Sequence, residues 1–321
     1  MDLDYHGKLI KSSLESTLQI SVFISPVSFP KIIHHGVVKV GIIANPNKSG
    51  AKKTLVALCT ALEKEKITPV LEVVTAKIID ASGGVDASTF GDCCEVVAVL
   101  GGDGTMLNAA NQIGPANIPV AGINIGTLGF LTTCTDNELD VFAQAVAKKH
   151  YTLIPRMQLR ATVYSPDGKK QSFRALNEIT LARGQTGRLV SLDAWVDDEL
   201  LNHYRADGLI VATTTGSTAY SLSAGGPLIA PKAEVFVITP ICPHSLSNRS
   251  LVVSDSSVVE LAPAKDAECP MLFTVDGREV VEISLGCRIR VEQAGHALPL
   301  LRLEGRTFYA TLRQKLGWGQ N

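Results

Sequence analysis

The chain has no CxxC pair, no long run of one charge, few aromatic residues and no apolar stretch of bilayer length, and each shortfall removes a class of function. Its seven cysteines (Cys59, Cys93, Cys94, Cys134, Cys242, Cys269, Cys287) are odd in number and scattered, which argues against zinc knuckles, redox dithiols and a secreted disulfide framework. Reduced thiols in a cytoplasmic protein are the expectation. A net charge of −1 leaves no electrostatic footprint for a polyanion, so neither nucleic acid nor an anionic membrane is expected as a partner. Aromatics make up 5% of the chain, too few for the stacking platforms of single-strand binders. No segment reaches the ~18 to 20 apolar residues of a membrane-spanning helix.

What is present is 321 residues, 45% of them hydrophobic, enough for two cores rather than one. Residues 1–36 are Ser-rich, carry Lys8, Lys11 and Lys31, and include the apolar piece "LQISVFISPVSF". Asp2, Asp4 and Glu15 are wrong for a secretory leader, so this stretch is read as an N-terminal extension without an assigned role.

Beyond it the hydrophobic period alternates. "VKVGIIANP" (38–46) is strand-like, "KTLVALCTALEKEKI" (53–67) helical and "PVLEVV" (69–74) strand-like again. "CEVVAVL" (94–100), "TMLNAANQI" (105–113), "IPVAGIN" (118–124) and "ELDVFAQAVAKKH" (138–150) continue as strand, helix, strand, helix. This predicts a parallel sheet with helices on both faces over residues 37–150. From about Leu153 apolar and polar residues alternate around Asp-Gly and Asp-Asp turns, which predicts antiparallel β structure over 151–305. A last helix is expected in 306–321, with Phe308, Leu312 and Leu316 on one stripe.

Two stretches are dense in chemistry. "VLGGDGT" (99–105) leaves a buried strand and enters a helix, the edge at which open α/β sheets bind ligands. Gly101, Gly102 and Gly104 let backbone N–H groups approach a phosphate, the helix presents its positive end, and Thr105 is placed to cap it. Asp103 would repel that phosphate if it merely lay beside it. It is therefore either a structural cap or a group acting on a metal ion or an attacking hydroxyl. Asp-Gly pairs at Asp167, Asp207 and Asp276 keep the plain turn reading alive. The second stretch, "ADGLIVATTTGSTAYSLSAGGPLIAP" (206–231), crowds hydroxyls and glycines between two apolar segments, as an ordered binding loop does and a flexible linker does not.

Two similar-looking patterns carry nothing. "GINIGTLG" misses the spacing of a dinucleotide fingerprint by one residue, and "NPNKSG" has Ile42 and Asn47 where a P-loop needs glycine. His244, in "TPICPHSLSNRS" (239–250), stands beside prolines and Arg249, as a bonded structural histidine or a site residue. No spacing of His, Cys or acids forms a metal cage.

Taken together and in order, "GGDGT", "LNEI" (176–179), "DGLIVATTTGSTAYSLSAGG", "ITPICPHSLSNRSLVV" (238–253), "VDGRE" (275–279) and "LRQKLGW" resemble the NAD kinase family over about residues 37–319. "GGDGT" is shared with lipid kinases and phosphofructokinases; "GSTAYSLSAGG" with "ITPICPHSLSNR" is far more specific. The resemblance implies an N-terminal α/β domain and a C-terminal β-rich domain, with the terminal helix returning to the first. It implies transfer of the terminal phosphate of ATP, or polyphosphate in some members, to the 2′-hydroxyl of the adenosine ribose of NAD, giving NADP. Asp103 then resembles the catalytic base, with Gly101, Gly102, Gly104 and Thr105 around the donor phosphates and Mg²⁺ carried by those phosphates rather than by a protein cage.

Asn177 and Glu178 resemble the family's "NE" pair against adenine or ribose. Asp207, with Arg205, resembles the acid near the nicotinamide ribose, and Thr218, Ala219, Tyr220 and Ser223 the loop enclosing the dinucleotide. Phe130, in "TLGF" (127–130), is expected against the nucleotide, and Arg183 is a candidate for discriminating NAD from NADH. Members of the family are usually homodimers or homotetramers. One departure is visible: Thr214 stands where relatives carry proline before "GSTAY", which predicts a looser loop. The competing readings are a lipid or sugar kinase built on "GGDGT" and a nucleotide sensor that keeps the pocket without catalysis.

Overall fold

In the computed structural model, residues 37–184 and 187–319 are described; the N-terminal extension (1–36), Gln185, Thr186 and residues 320–321 lie outside them. The first half runs β1 (Lys39–Ala44), α1 (Ala51–Lys64), β2 (Thr68–Leu71), α2 (Val73–Ile78), α3 (Phe90–Cys93), β3 (Val96–Leu100), α4 (Asp103–Ile113), β4 (Val120–Asn124), β5 (Thr132–Thr135) and α5 (Leu139–Lys148). The second half runs β6 (Tyr151–Arg156), β7 (Leu159–Tyr164), β8 (Lys170–Ala175), β9 (Glu178–Arg183), β10 (Val190–Val196), β11 (Glu199–Ala206) and β12 (Gly208–Ala212). After α6 (Tyr220–Ser223) come β13 (Val235–Ile241), β14 (Leu251–Ser254), β15 (Val259–Pro263), β16 (Met271–Val275), β17 (Arg278–Ile283), β18 (Arg288–Gln293), β19 (Leu298–Leu303) and α7 (Phe308–Leu316).

The first sheet is ordered β2-β1-β3-β4-β19-β6, with β5 also on β4. Its central strand β3 (VVAVL) is apolar without interruption because both faces are covered, as in parallel sheets generally. Val96, Ala98 and Leu100 point into a core under α1 and α5, while Val97 and Val99 point into a second core with Met106, Ala109 and Ile113 of α4. Each Val or Leu side chain buried this way is worth ~1.5 to 3 kcal/mol. Helices therefore lie on both faces.

The other two sheets are antiparallel, ordered β11-β10-β15-β18-β7-β8 and β14-β13-β12-β9-β16-β17. Their inner faces share one core, in which Leu159, Leu192, Leu261 and Ile289 of the first meet Leu181, Leu209, Phe236 and Phe273 of the second. This is a β-sandwich.

Three findings differ from the sequence expectations. Val73 and Val74 begin α2 rather than extending β2, because Glu72 caps them, its carboxylate accepting from the N–H groups of Val74 and Thr75. The segment 151–305 is not confined to the sandwich. Its first and last strands, β6 and β19, pair with each other and β19 with β4, so they complete the first sheet. Helix α4 starts at Asp103 with Gly102 as its N-cap and no side-chain cap bond, so Thr105 is inside the first turn and caps nothing.

Candidate active site

Strand β3 ends at Leu100, and the Gly101 N–H extends its ladder by donating to the Ile123 carbonyl at 2.9 Å. A Cβ on Gly101 would fall 2.2 Å from Thr105 Oγ1, so glycine is what lets the chain turn sharply into α4. The first N–H groups of a helix lack i−4 partners and so suit an anion; here the Thr105 N–H donates to the Gly102 carbonyl at 3.0 Å, which leaves those of Asp103 and Gly104. Asp103 is the first residue of the helix. Its carboxylate is directed across to the segment after β4, where Oδ2 accepts from the Phe130 N–H and Oδ1 from the Leu131 N–H, each at 3.0 Å. Gly129 allows this approach, since a Cβ there would lie 2.2 Å from Oδ1. Phe130 thus holds the carboxylate through its backbone, while its half-buried ring lies 6.3 Å from that of Phe308.

Sequence reading missed Asn124. It closes β4, is 8% exposed, donates through its amide to the Thr127 carbonyl, and leaves Oδ1 buried without a hydrogen-bond partner. That oxygen is 3.9 Å from where a Gly102 Cβ would stand, so it borders the glycine-rich turn. Its place in "GIN", at the C-terminal end of a strand of the parallel sheet, was the available signal.

Asn177 and Glu178 are 8% and 5% exposed at the start of β9. Their segment is pinned by Asp276, whose carboxylate accepts from the N–H groups of Leu176 (3.0 Å), Asn177 (2.8 Å) and Glu178 (3.2 Å). Burial raises the Asp276 carboxyl above its ordinary range, against the pull of those N–H bonds and of Arg278. Burial, reinforced by the Asp276 charge, pushes the Glu178 carboxyl up to about 8. Glu178 is therefore neutral at pH 7 and carries an O–H.

The hydroxyl-rich loop closes on this pair. Thr213 donates its N–H to the Asn177 carbonyl (2.8 Å) and its hydroxyl to the Leu176 carbonyl (2.7 Å). A Cβ on Gly216 would fall 2.2 Å from the Asn177 carbonyl oxygen. Thr214 is 2% exposed and its carbonyl accepts from the Ser217 hydroxyl at 2.7 Å, so the loop is densely bonded without the proline. Thr218 donates to the Thr215 carbonyl at 3.0 Å, while Tyr220 and Ser223 lie exposed and Ala219 half-buried beside them. Glu178 Oε2 and Thr215 Oγ1 are buried with no partner, as groups reserved for a ligand or an ordered water are.

The two halves of the site touch. Leu176 is buried in the core beneath α4, and Phe130 shares a cavity wall with Ala230 and Pro231, which follow the hydroxyl-rich loop. The remaining expected residues are elsewhere. Arg183 Nε pairs with Asp207 Oδ1 at 3.3 Å, and the His244 N–H donates to the Arg205 carbonyl at 2.8 Å. Asp207 precedes β12 and Thr213 follows it, so at ~3.3 Å per residue the two groups stand about 20 Å apart within one chain.

A carboxylate fixed by backbone amides at a glycine-rich turn into a helix, and a second segment that offers buried, unpartnered oxygens, are groups that a phosphotransferase acting on a hydroxyl could use. The sequence agrees in detail: residues 40–151 match the ATP-NAD kinase N-terminal domain and residues 176–303 the ATP-NAD kinase C-terminal domain. The chain belongs to the NAD kinase family. It is 39% identical over 283 residues to the NAD kinase of Chlorobium luteolum and 37% identical over 282 residues to that of Natranaerobius thermophilus, in each case covering 88% of this chain and 98% of the relative. Among solved structures, yeast NADH kinase complexed with NADH superposes with a TM-score of 0.82 at 25% identity, covering 90% of this chain and 89% of that one. An Archaeoglobus fulgidus NAD kinase in complex with ATP shares the fold at a TM-score of 0.67 and 24% identity, over 87% and 99% of the two chains.

Proposed function

We propose that the protein is an NAD kinase that transfers the terminal phosphate of ATP to the 2′-hydroxyl of the adenosine ribose of NAD, with Asp103 as the base. The observation that carries the assignment of the base is the Asp103 carboxylate held by two N–H groups inside the glycine cradle. Those bonds leave each oxygen a lone pair, and one accepts the proton of the 2′-hydroxyl as its oxygen attacks the γ-phosphorus. The bond from that phosphorus to the β-phosphate bridging oxygen breaks, and ADP leaves. A carboxylate is a weak base, so its fixed position supplies much of the effect. Asn177 and the neutral Glu178 read the adenosine, the former through its amide and the latter through its O–H. Thr218, Ala219, Tyr220 and Ser223 enclose the dinucleotide.

Magnesium fits this site as an ion carried on phosphates. Among the described residues no cluster of three or more His, Cys, Asp or Glu forms a cage, yet the orphaned Asn124 Oδ1 and the Asp103 carboxylate are oxygen donors of the kind the ion takes. When bound, it offsets the charge of the transferring phosphoryl group.

A homodimer or homotetramer accounts for the about 20 Å between the Asn177 and Asp207 groups, because a second copy can bring its Asp207, Arg183 and Arg205 toward the open end of the dinucleotide. Leu251 and Val252 of β14 and Leu246 before it are exposed and suit such a contact. All seven cysteines are free, consistent with a reducing cytoplasm, and no helix among the described residues is long and apolar enough to cross a membrane.

One coupled assay tests the reading, with NAD or NADH as acceptor and ATP or polyphosphate as donor in the presence of magnesium. NADP formation from NAD and ATP is expected. Binding of NAD without turnover, or phosphorylation of diacylglycerol instead, overturns it.

A further inference from the structure

A cavity of about 320 Å³ lies beside the TLGF segment and is covered by α7. Phe130, Ile154, Leu300 and Phe308 give it an apolar interior. Its charged lining has one sign: Arg156, Lys232, Arg302 and Arg306 all border it. Arg306 is paired with Glu138; the other three form no ion pair among the described residues. Lys232 is exposed at the rim, but Arg156 is only 6% exposed and its Nε is buried without a hydrogen-bond partner. Burial, with the like charge of Arg302, brings the Arg156 guanidinium down to about 10, which leaves it cationic at neutral pH. An unpaired buried cation is strongly unfavourable, and a counter-charge arriving with a ligand removes the penalty.

We propose that this cavity is a second binding site, for a small amphipathic anion. Its apolar or aromatic body lies against Leu300, Phe130 and Phe308, and a single carboxylate, sulfonate or phosphate group sits on Arg156 and Arg302. The volume is that of an ordinary small-molecule pocket, apolar with a few convergent polar groups. None of the residues that hold the anion belongs to the catalytic loop or to the adenosine pocket, so the site stands whether or not the catalytic reading does. It borders the catalytic site through Phe130, whose ring is a wall here and whose N–H holds Asp103, and through Ala230 and Pro231 at the end of the hydroxyl-rich stretch. A nucleotide and a simple organic acid share the required chemistry.

The test titrates 8-anilinonaphthalene-1-sulfonate, an aromatic sulfonate, into the full chain and follows its fluorescence. Saturable binding is expected. Arg156→Met should weaken it by about 10- to 100-fold, the scale of a lost hydrogen bond to a charged group. Arg302→Gln should weaken it less, and Tyr220→Ala, in the hydroxyl-rich loop, not at all. Without ligand, Arg156→Met should melt no lower than wild type, because an unpaired buried charge has been removed; if that variant does not fold, Arg302→Gln carries the comparison. Displacement of the dye by ATP assigns the site to a nucleotide, and displacement by octanoate alone to an organic acid. Equal affinity in wild type and both arginine variants, weakening by Tyr220→Ala alone, or displacement by neither competitor overturns the proposal.

Discussion

The Asp103 and Asp276 regions begin from the same dipeptide, Asp-Gly, and use it in opposite ways. Asp276 and Gly277 turn a hairpin with φ of 49° and 72°, the two-residue turn that Asp-Gly favours. Asp103 and Gly104 open a helix. Both carboxylates fasten backbone N–H groups from a segment far away in the chain, three for Asp276 and two for Asp103. What differs is the space beyond. The Asp276 carboxylate is enclosed, and its charge helps keep Glu178 neutral. The Asp103 carboxylate is half-buried beside the Gly101–Gly102 turn, with lone pairs to spare. The dipeptide offers a short reach to backbone amides; whether such a carboxylate is only a fastener or can also serve as the proposed base depends on what is left open in front of it.

That contrast can be broken most forcefully at Asp103. Asp103→Asn keeps one acceptor oxygen, so the melting temperature should hold within a few degrees while NADP formation falls by about 10²- to 10⁴-fold, the worth of general-base assistance. Near-normal turnover in the purified variant would show that Asp103 is only a fastener. Asp276→Asn should do the reverse. Three N–H groups lose a charged acceptor, and chemical denaturation should report a loss of ~1 to 3 kcal/mol, with activity declining only as far as the Asn177–Glu178 segment loosens. A variant as stable as wild type would remove the fastening role.

The third prediction concerns pH. The folded-state carboxyl of Glu178 titrates at about 8 against an ordinary 4.5, so its contribution to stability is complete below the ordinary glutamate range and is lost as pH rises to about 8. Glu178→Gln, which cannot ionise, should gain on wild type in melting temperature between pH 6 and pH 9. A difference independent of pH would mean the carboxyl is not buried neutral. The smallest effect is expected at Thr214. Restoring the family's proline there should stabilise the loop by ~0.4 to 1 kcal/mol through the unfolded chain, and a loss of stability would mean that this backbone cannot accept the ring.

Local periodicity was enough to recover β1, α1, β2, β3, α4, β4, α5 and the antiparallel texture after Leu153, because buried strands and amphipathic helices carry their own pattern, but not the short α2, α3 and β5. It also marked "GGDGT" as lying where β3 hands over to α4, which the structure places there. Three things were not legible. Glu72 as a cap and Gly102 in place of Thr105 depend on which side chain reaches a particular amide, which residue types alone do not decide. The pinning of Leu176, Asn177 and Glu178 by Asp276 joins positions about 100 residues apart. The wide separation of Asp207 from Asn177 follows from strand direction, which no motif records.

The pairing of β19 with β4 and β6 has a consequence for how the molecule is made. Translation delivers the whole of β1 to α5 before β19 exists, so the nascent α/β layer waits with the β4 edge incompletely paired until the ribosome has passed residue 303. Long-range closures of this kind are slow steps, and an open sheet edge is where newly made chains stick to one another. A chain that stops before β19 leaves that part of the β4 edge open, and the "GGDGT" turn at the end of β3 then rests on an unfinished sheet.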